Sequence, residues 1–214
     1  MIKVVVVDDH DLVRTGIKKL LNDAQGVKVV GEASDGESAI KVTREQQPDI
    51  VLMDIKMPGI GGLEATKKLL RSNPDVKVIA LTICDDDLFP SRTLQAGAYG
   101  YLTKGATVNE MVKAIRSVYA GQRYISPDIA SQLALKHISD QGESPFDELS
   151  ERELQVTLMI VSGLKVQEIS TRLCLSPKTV NSYRYRIFEK LTIKNDVELT
   201  HLAYRHNLVD HVKE

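Results

Sequence analysis

Five short apolar runs, separated by amphipathic stretches of helical period, dominate the first 120 residues. Because the runs are continuous rather than alternating, each is expected to be a strand that is buried on both faces of a parallel sheet. The stretches between them are long enough to be crossover helices. The pattern predicts an α/β domain with flavodoxin-like (βα)5 order. The predicted strands are Val4–Val7, Val27–Val30, Ile50–Met53, Val76–Leu81 and Tyr99–Leu102, and the predicted helices lie near 11–23, 36–46, 61–72, 88–96 and 107–119.

Carboxylates follow two of these strands directly. Asp8 and Asp9 come after the first strand and Asp54 comes after the third. In flavodoxin-like order these strands are neighbours, and their carboxyl ends meet at the edge of the sheet where ligands bind. Three like charges so close repel one another, and a hard cation held by oxygen atoms relieves the repulsion. The sequence therefore predicts a Mg²⁺ site.

The fourth and fifth strands end in residues that suit a phosphoryl group. Thr82 offers a hydroxyl donor and Lys104 offers a cation at the same edge of the sheet. A carboxylate in such a pocket can accept a phosphoryl group as an acyl phosphate, and Asp54 is the predicted acceptor. The alternative interpretation is that these acidic residues only form turns at strand ends.

These residues resemble the receiver domain of two-component response regulators over residues 1–120. The resemblance rests on Asp8-Asp9, on Asp54 within Leu52–Gly59, and on Thr82 and Lys104. It implies phosphotransfer from a sensor histidine kinase, or from its phosphotransfer domain, to Asp54. It also implies that Tyr101 moves with the switch residue Thr82 and that Lys104 pairs with the phosphoryl group. The implied Mg²⁺ ligands are Asp8, Asp9, Asp54 and the backbone carbonyl of Lys56.

Two enzyme classes are disfavoured by missing motifs. Phosphatases with an aspartyl nucleophile have an Asp-x-Asp motif whose first Asp directly follows a strand. Here Asp8 directly follows the predicted strand, and the residue two positions later is His10. The chain also has neither a G-x-G-x-x-G motif after a strand nor a Walker lysine loop. We therefore expect a binding protein rather than an enzyme.

The last 65 residues carry only helix signals. Ser150-x-x-Glu153 is a capping box, and Ser176-Pro177 is a strong helix start. We expect residues 121–145 to be a partly helical linker and residues 146–214 to be a small four-helix domain. The predicted helices begin at Ser150 and run to near Gly163, then over 167–173, 177–191 and 196–206.

The stretch 163–195 is locally basic although the whole chain has a net charge of −1. It holds seven Lys and Arg residues against two acidic ones. Such a surface suits a polyanion, although a solvated helix face would have the same composition. Within it, helix 167–173, a short turn and helix 177–191 match helix–turn–helix geometry.

Helix 177–191 is the predicted recognition helix. Its apolar stripe is Val180, Ile187 and Leu191, and at about 100° per residue the opposite face is polar and lies in the first turns, where such a helix meets the major groove. We expect base contacts from Lys178, Asn181, Ser182 and Tyr185, and phosphate contacts from Lys165, Thr179, Arg184, Arg186 and Lys190. Cys174, in the turn, is expected to be a small core residue.

Residues 146–208 closely resemble the LuxR-type DNA-binding domain. The matching segments include Leu149–Glu153, Leu175–Val180 and Lys190-Leu191. With the receiver, they imply a transcription regulator of the NarL/FixJ class. Further segments, among them Met57–Thr66 and Thr179–Arg186, resemble the GacA/UvrY group, which is driven by a hybrid sensor kinase and activates genes for small regulatory RNAs.

The resemblance implies a set of partners. They are double-stranded promoter DNA, a histidine kinase or phosphotransfer domain, RNA polymerase, and a second copy of the phosphorylated chain. No apolar run approaches the ~20 residues of a membrane span, so we expect a cytoplasmic protein. The alternative function is a phosphorylation-independent DNA-binding regulator whose receiver is a protein-interaction module.

Overall fold

A computed structural model describes residues 1–57, 59–82, 89–138, 144–206 and 208. The chain divides into two compact units, residues 1–138 and 139–214. Residues 139–143 of the predicted linker and Pro58 of the Met57–Thr66 segment lie outside the described residues. Among the described helices, none has the length and apolar character required to cross a lipid bilayer.

The first unit is a parallel sheet, and its strand order, β2-β1-β3-β4-β5-β6, confirms the predicted flavodoxin-like winding. The strands are β1 (Ile2–Val7), β2 (Val27–Ala33), β3 (Ile50–Asp54), β4 (Lys77–Thr82), β5 (Gly100–Thr103) and β6 (Tyr124–Ile125). The helices are α1 (Asp11–Asn22), α2 (Gly36–Gln46), α3 (Gly61–Ser72), α4 (Phe89–Gln95), α5 (Val108–Tyr119) and α6 (Pro127–Ile138).

Successive residues of the central strands point to opposite faces of the sheet, which produces two cores. Val4, Val6 and Leu52 pack with apolar residues of α1 and α5 on one face. Val5 and Val7 pack with residues of α2 and α3 on the other. Burial on both faces explains why these strands are continuously apolar.

The sheet has a sixth strand that the sequence does not predict. β6 is two residues long and extends the sheet beyond β5, with the Ser126 N–H donating to the Tyr101 carbonyl at 3.0 Å. A pair of residues is too short to produce a recognisable apolar run. Because of β6 and α6, residues up to 138 group with the first unit, whereas the sequence predicts a linker from 121.

The second unit is helical, as predicted. A 3₁₀ turn at Pro145–Glu148 is followed by α7 (Glu151–Val161), α8 (Val166–Arg172), α9 (Pro177–Leu191) and α10 (Asp196–Arg205). Ser150 and Glu153 form the predicted capping box, and the Ser176 hydroxyl accepts from the Thr179 N–H at 3.1 Å. Cys174 is exposed at the turn, with a φ of 51°, so the prediction of a core cysteine is wrong.

A partly exposed ion pair joins α7 to α9. The Lys190 ammonium lies 2.6 Å from the carboxylate of Glu153, whose side chain is almost fully buried. Burial raises the pKa of Glu153, but the bonds from Lys190 and from the Ser150 N–H outweigh this effect and hold the pKa below its ordinary value of 4.5. The capping carboxylate therefore also fixes the spacing of two helices.

The close approach of α3 to the end of β3 depends on a glycine in the first turn of the helix. An added Cβ at Gly62 would lie 1.8 Å from the carbonyl oxygen of Asp54, because the first turn of α3 approaches the end of β3 closely. The Gly62 N–H also donates to the Ile55 carbonyl at 3.1 Å. The backbone of Asp54 therefore relies on the absence of a side chain at this position.

Substitution of Gly62→Ala should destabilise the first unit by about 2–3 kcal/mol, since the backbone must move to admit the methyl group. Gly16→Ala, in the interior of α1 with no atom within 4 Å of the added Cβ, should instead stabilise the unit by about 0.5–1 kcal/mol. Hydrogen exchange of β1 and β3 peptides across a urea series measures both changes in the full chain. Equal urea midpoints for the two variants would contradict the proposed close approach.

Candidate functional site

Neighbouring strands bring two carboxylates together at one end of the sheet. In the β1–β3 pairing Val7 lies opposite Met53, so Asp8 and Asp54 follow at the same level. Asp8 is fully buried and Asp54 is 1% exposed. Two acidic side chains in such a place require a cation, because burial without a partner is costly for a charged group.

The cation in this structure is Lys104, which follows β5. Its ammonium lies 2.6 Å from Asp54 Oδ2 and 2.8 Å from Asp8 Oδ2. The backbone N–H of Lys104 donates to the Thr82 carbonyl at 2.6 Å. This bond fixes the segment after β5 beside the end of β4. A second donor, the Lys56 N–H, bonds Asp54 Oδ1 at 3.0 Å. Both oxygens of Asp54 are thus held.

The environment shifts the pKa of both partners. Burial raises the pKa of Asp54, and the Asp8 carboxylate raises it further, while Lys104 and the Lys56 N–H lower it; the result is about 6. For Lys104, burial alone would lower the pKa, but the bonds to Asp54 and Asp8 raise it above 10.5. At neutral pH the ammonium is charged and most of the Asp54 population is ionised.

Asp9 and His10 complete an oxygen-rich cluster. Asp8, Asp9, His10 and Asp54 each offer a ligand atom, and these atoms lie within 4.8 Å of one another. The side chain of Asp9 is 28% exposed, so the cluster opens to solvent. His10 precedes α1, and its Nδ1 lies 2.9 Å from Asp9 Oδ1 and 3.2 Å from Asp8 Oδ1. Three carboxylates with a solvent opening fit Mg²⁺, which prefers oxygen ligands and retains several waters.

Arg14 supports the cluster, and sequence reasoning missed it. From the first turns of α1 its Nη1 donates to the Asp8 carbonyl at 2.7 Å. Its Nη2 pairs with Asp11, and its Nε lies 3.8 Å from Glu32. The guanidinium thereby fixes the backbone between β1 and α1. Its spacing of three residues from Asp11 was the available signal, but that spacing is common on helix surfaces.

Of the predicted switch residues, Thr82 ends β4 and Tyr101 lies within β5. Thr82 is 3% exposed and pairs with Thr103 in the sheet. Tyr101 is fully buried and pairs with Ala80 on β4 and Ile125 on β6. Thr82 is therefore on the same sheet edge as Asp54, one residue beyond the Leu81 that pairs with Asp54.

The second unit exposes one polar face of α9. Val180, Ile187 and Leu191 are buried, as their stripe predicts. On the opposite side Lys178, Ser182 and Arg186 are exposed, and Tyr185 is 73% exposed. Lys165, at the start of α8, is exposed, and Thr179 and Asn181 are partly buried.

Two of the predicted phosphate contacts have partners within the unit. Arg184 binds Asp196 on α10 through two hydrogen bonds of 3.1 and 2.6 Å, and Lys190 binds Glu153. The sequence predicts that both contact phosphates, because basic residues on a basic helix cannot be told apart without knowing their neighbours. In the structure both side chains also make contacts between helices, and their phosphate contacts remain a prediction.

Two family models match the chain in the order of the two units. Residues 4–116 match the response regulator receiver domain, and residues 147–203 match the LuxR family of bacterial regulatory proteins. These ranges contain every residue of the acidic cluster and all of α7, α8 and α9.

Characterised relatives match over nearly the whole chain. Response regulator GacA of Pseudomonas aeruginosa is 66% identical over 211 residues, which cover 98% of this chain and 99% of the relative. Response regulator UvrY of Escherichia coli is 62% identical over 209 residues, which cover 97% and 96%.

A solved structure has the same architecture. RcsB of Salmonella enterica serovar Typhimurium, bound to the rprA promoter in the presence of the phosphomimetic BeF3⁻, is 28% identical with a TM-score of 0.63, and the match covers 95% of this chain and 99% of that one.

The raised pKa of Asp54 has a consequence for stability. The folded protein binds this proton more tightly than the unfolded chain does, so this group makes stability fall as the pH rises from 3.8 to about 6. We expect Asp54→Asn to stabilise the first unit above pH 6 by on the order of 2–3 kcal/mol without divalent cations, and to have no such effect near pH 4.

Hydrogen exchange of β3 peptides across a urea series in EDTA, at pH 4 and pH 7.5, measures this difference. Asp75→Asn is the matched control, because Asp75 is exposed in the loop before β4. Equal stability of wild type and Asp54→Asn at pH 7.5 would contradict the account.

Proposed function

The chain belongs to the two-component response regulators with a receiver domain and a LuxR-type DNA-binding domain, and from this we propose that phosphorylation of Asp54 controls its binding to promoter DNA. As a member of this family it is a DNA-binding transcription regulator. The phosphoacceptor, the metal ligands and the DNA contacts are the parts that the proposal adds. The observation that carries it is the contact of Lys104 with both Asp8 and Asp54 at one end of the sheet.

Asp54 has the environment of an acyl-phosphate acceptor. One of its carboxylate oxygens attacks the phosphorus of a phosphohistidine on the kinase or phosphotransfer domain. The new O–P bond forms as the N–P bond breaks, and the histidine leaves with the electron pair of that bond. A pKa of about 6 leaves the carboxylate mostly ionised at neutral pH while making it more basic than an exposed aspartate. The Lys104 ammonium then pairs with the phosphoryl oxygens.

Magnesium fits the cluster beside Asp54. Asp8, Asp9, Asp54 and the backbone carbonyl of Lys56 are the proposed ligands, since oxygen atoms suit this ion better than the imidazole of His10. When bound, the ion neutralises the negative charge of the incoming phosphoryl group. Arg14 contributes by fixing the backbone that carries Asp8.

Thr82 and Tyr101 change position when the phosphoryl group is present. Thr82 donates its hydroxyl to a phosphoryl oxygen, and Tyr101, buried in the adjacent strand, follows the displacement of Thr82. Phosphorylation favours the active state only through contacts that differ between the two states, and the Thr82 contact is one of these.

The exposed face of α9 is the proposed DNA surface. Helix α9 enters the major groove, where Lys178, Asn181, Ser182 and Tyr185 meet base edges. Lys165, Thr179 and Arg186 contact phosphates, and Arg184 and Lys190 also bind neighbouring helices. The exposed Val197 on α10 suits contact with a second copy of the chain on paired half-sites.

The biological setting follows the relatives. A hybrid sensor kinase or its phosphotransfer domain supplies the phosphoryl group in the cytoplasm, and the phosphorylated dimer recruits RNA polymerase. Genes for small regulatory RNAs are the proposed targets, because the chain is 66% identical to GacA and 62% identical to UvrY. The chain itself acts as a regulator rather than as an enzyme.

Incubation of the full chain with acetyl phosphate and Mg²⁺ should add one phosphoryl group, detected by intact mass spectrometry. Asp54→Asn should take up none, EDTA should abolish the uptake, and Asp9→Asn should slow it by about tenfold or more, because it removes a metal ligand. Asp75→Asn should be labelled like the wild type. Labelling of Asp54→Asn at the wild-type rate would assign the acceptor to another residue.

A further inference from the structure

His10 lies against the two carboxylates that follow β1. Its backbone N–H donates to Asp8 Oδ1 at 2.8 Å, which fixes the residue beside Asp8. The Nδ1 atom of its ring lies 3.2 Å from Asp8 Oδ1 and 2.9 Å from Asp9 Oδ1. The side chain is 62% exposed, and these carboxylates are its described polar partners. The proposed phosphotransfer to Asp54 assigns this imidazole no role.

One of the two carboxylate oxygens lacks a hydrogen bond. Among the described residues, Asp9 Oδ1 is inaccessible to solvent and has no hydrogen-bond partner. Its separation of 2.9 Å from His10 Nδ1 is short enough for a hydrogen bond, but the two groups are not aligned for one. A buried carboxylate oxygen without a partner is costly. A cation bound by both atoms removes that cost, because it needs no linear N–H···O arrangement.

The separations match those between ligand atoms of one cation. Ligand atoms bound at about 2.1 Å to a six-coordinate ion lie about 3 Å apart when they are neighbours. The distances from His10 Nδ1 to Asp8 Oδ1 and Asp9 Oδ1, 3.2 and 2.9 Å, are of this size. With Asp54 included, the four ligand atoms all lie within 4.8 Å of one another. The ring nitrogen thus has the position of a further ligand.

We propose that His10 is a ligand of this site for divalent cations that bind imidazole, of which Zn²⁺ is the representative. Mg²⁺ prefers oxygen ligands, so His10 contributes little to its binding. Zn²⁺ binds imidazole nitrogen as well as carboxylate oxygen. When Zn²⁺ takes the place of the Nδ1 proton, the ring keeps its other proton on Nε2. Lys104 contacts Oδ2 of Asp8, and Oδ1 keeps one lone pair beside the one that accepts from the His10 N–H.

This inference rests on the proposed function, since both use the acidic cluster as a metal site. It adds a second class of cation and assigns the difference between the two classes to His10. A site of carboxylate oxygens alone also holds Zn²⁺, so binding of Zn²⁺ does not by itself identify the ligand. The identifying result is a loss of Zn²⁺ affinity, with Mg²⁺ affinity retained, when the imidazole is removed.

The test is NMR spectroscopy of the ¹⁵N-labelled full chain, titrated separately with MgCl₂ and ZnCl₂ at pH 7.5. Backbone amide resonances of Asp54 and Lys56 measure the occupancy of the site in every variant. Long-range ¹H–¹⁵N correlations of the imidazole rings show which histidine nitrogen binds the ion, so Zn²⁺ at any other histidine is detected separately. His10→Phe keeps a ring without a nitrogen ligand, and His201→Phe is the same change at an exposed residue of α10.

In the wild type, Zn²⁺ should shift the Nδ1 resonance of His10, and Mg²⁺ should shift it far less. His10→Phe should raise the dissociation constant for Zn²⁺ by about tenfold or more and that for Mg²⁺ by less than about threefold, because only Zn²⁺ loses a ligand. His201→Phe should leave both dissociation constants at their wild-type values.

Three results would overturn the inference. A Zn²⁺ titration that shifts the amides of Asp54 and Lys56 but not Nδ1 of His10 would show that the carboxylates bind the ion alone. An effect of His10→Phe that is equal for both ions, or absent for both, would leave the imidazole no role as a ligand. If neither ion shifts those amides in the wild type, the proposed metal site fails together with this inference, whereas the first two results leave the proposed function intact.

Discussion

The contact of one lysine with two buried aspartates organises the first unit. Asp8 and Asp54 are brought together by the adjacency of β1 and β3, and the Lys104 ammonium lies within 2.8 Å of both. Without a cation, two carboxylates at this depth could not both stay ionised. Because Lys104 follows β5 and Asp54 ends β3, the contact also joins two strands that are separated in the sheet by β4. A new negative charge on Asp54 would therefore alter the position of Lys104 and of the segment joined to Thr82.

Ion pairs between helices have a comparable role in the second unit. Glu153 both caps α7 and binds Lys190 on α9, and Arg184 binds Asp196 on α10. These bonds fix the orientation of α9 relative to α7 and α10, while Val180 and Ile187 supply the apolar contact. The basic residues of α9 thus divide into those that bind neighbouring helices and those that lie exposed on its outer face. The exposed residues form the proposed surface for a polyanion.

Local sequence patterns were sufficient to predict most of the fold. Continuous apolar runs located β1 to β5, and Ser176-Pro177 fixed the start of α9 at the observed residue. The acidic cluster was also predictable, because strand ends of a parallel sheet share one edge. Features that depend on particular neighbours were not. The two residues of β6, the contact of Arg14 with the Asp8 carbonyl and the partners of Arg184 follow from tertiary packing, which leaves no periodic signal in the sequence.

We propose above all that phosphorylation of Asp54 in the first unit governs DNA binding by the second. The most direct measurement is the dissociation constant of the full chain for a selected 20-base-pair duplex, by fluorescence anisotropy in Mg²⁺, before and after treatment with acetyl phosphate. We expect treatment to tighten binding by the wild type by about tenfold or more and to leave Asp54→Asn unchanged, in line with typical coupling free energies between two sites. Equal dissociation constants for treated and untreated wild type, with the phosphoryl group present by mass, would contradict the claim and favour a receiver that acts without phosphorylation.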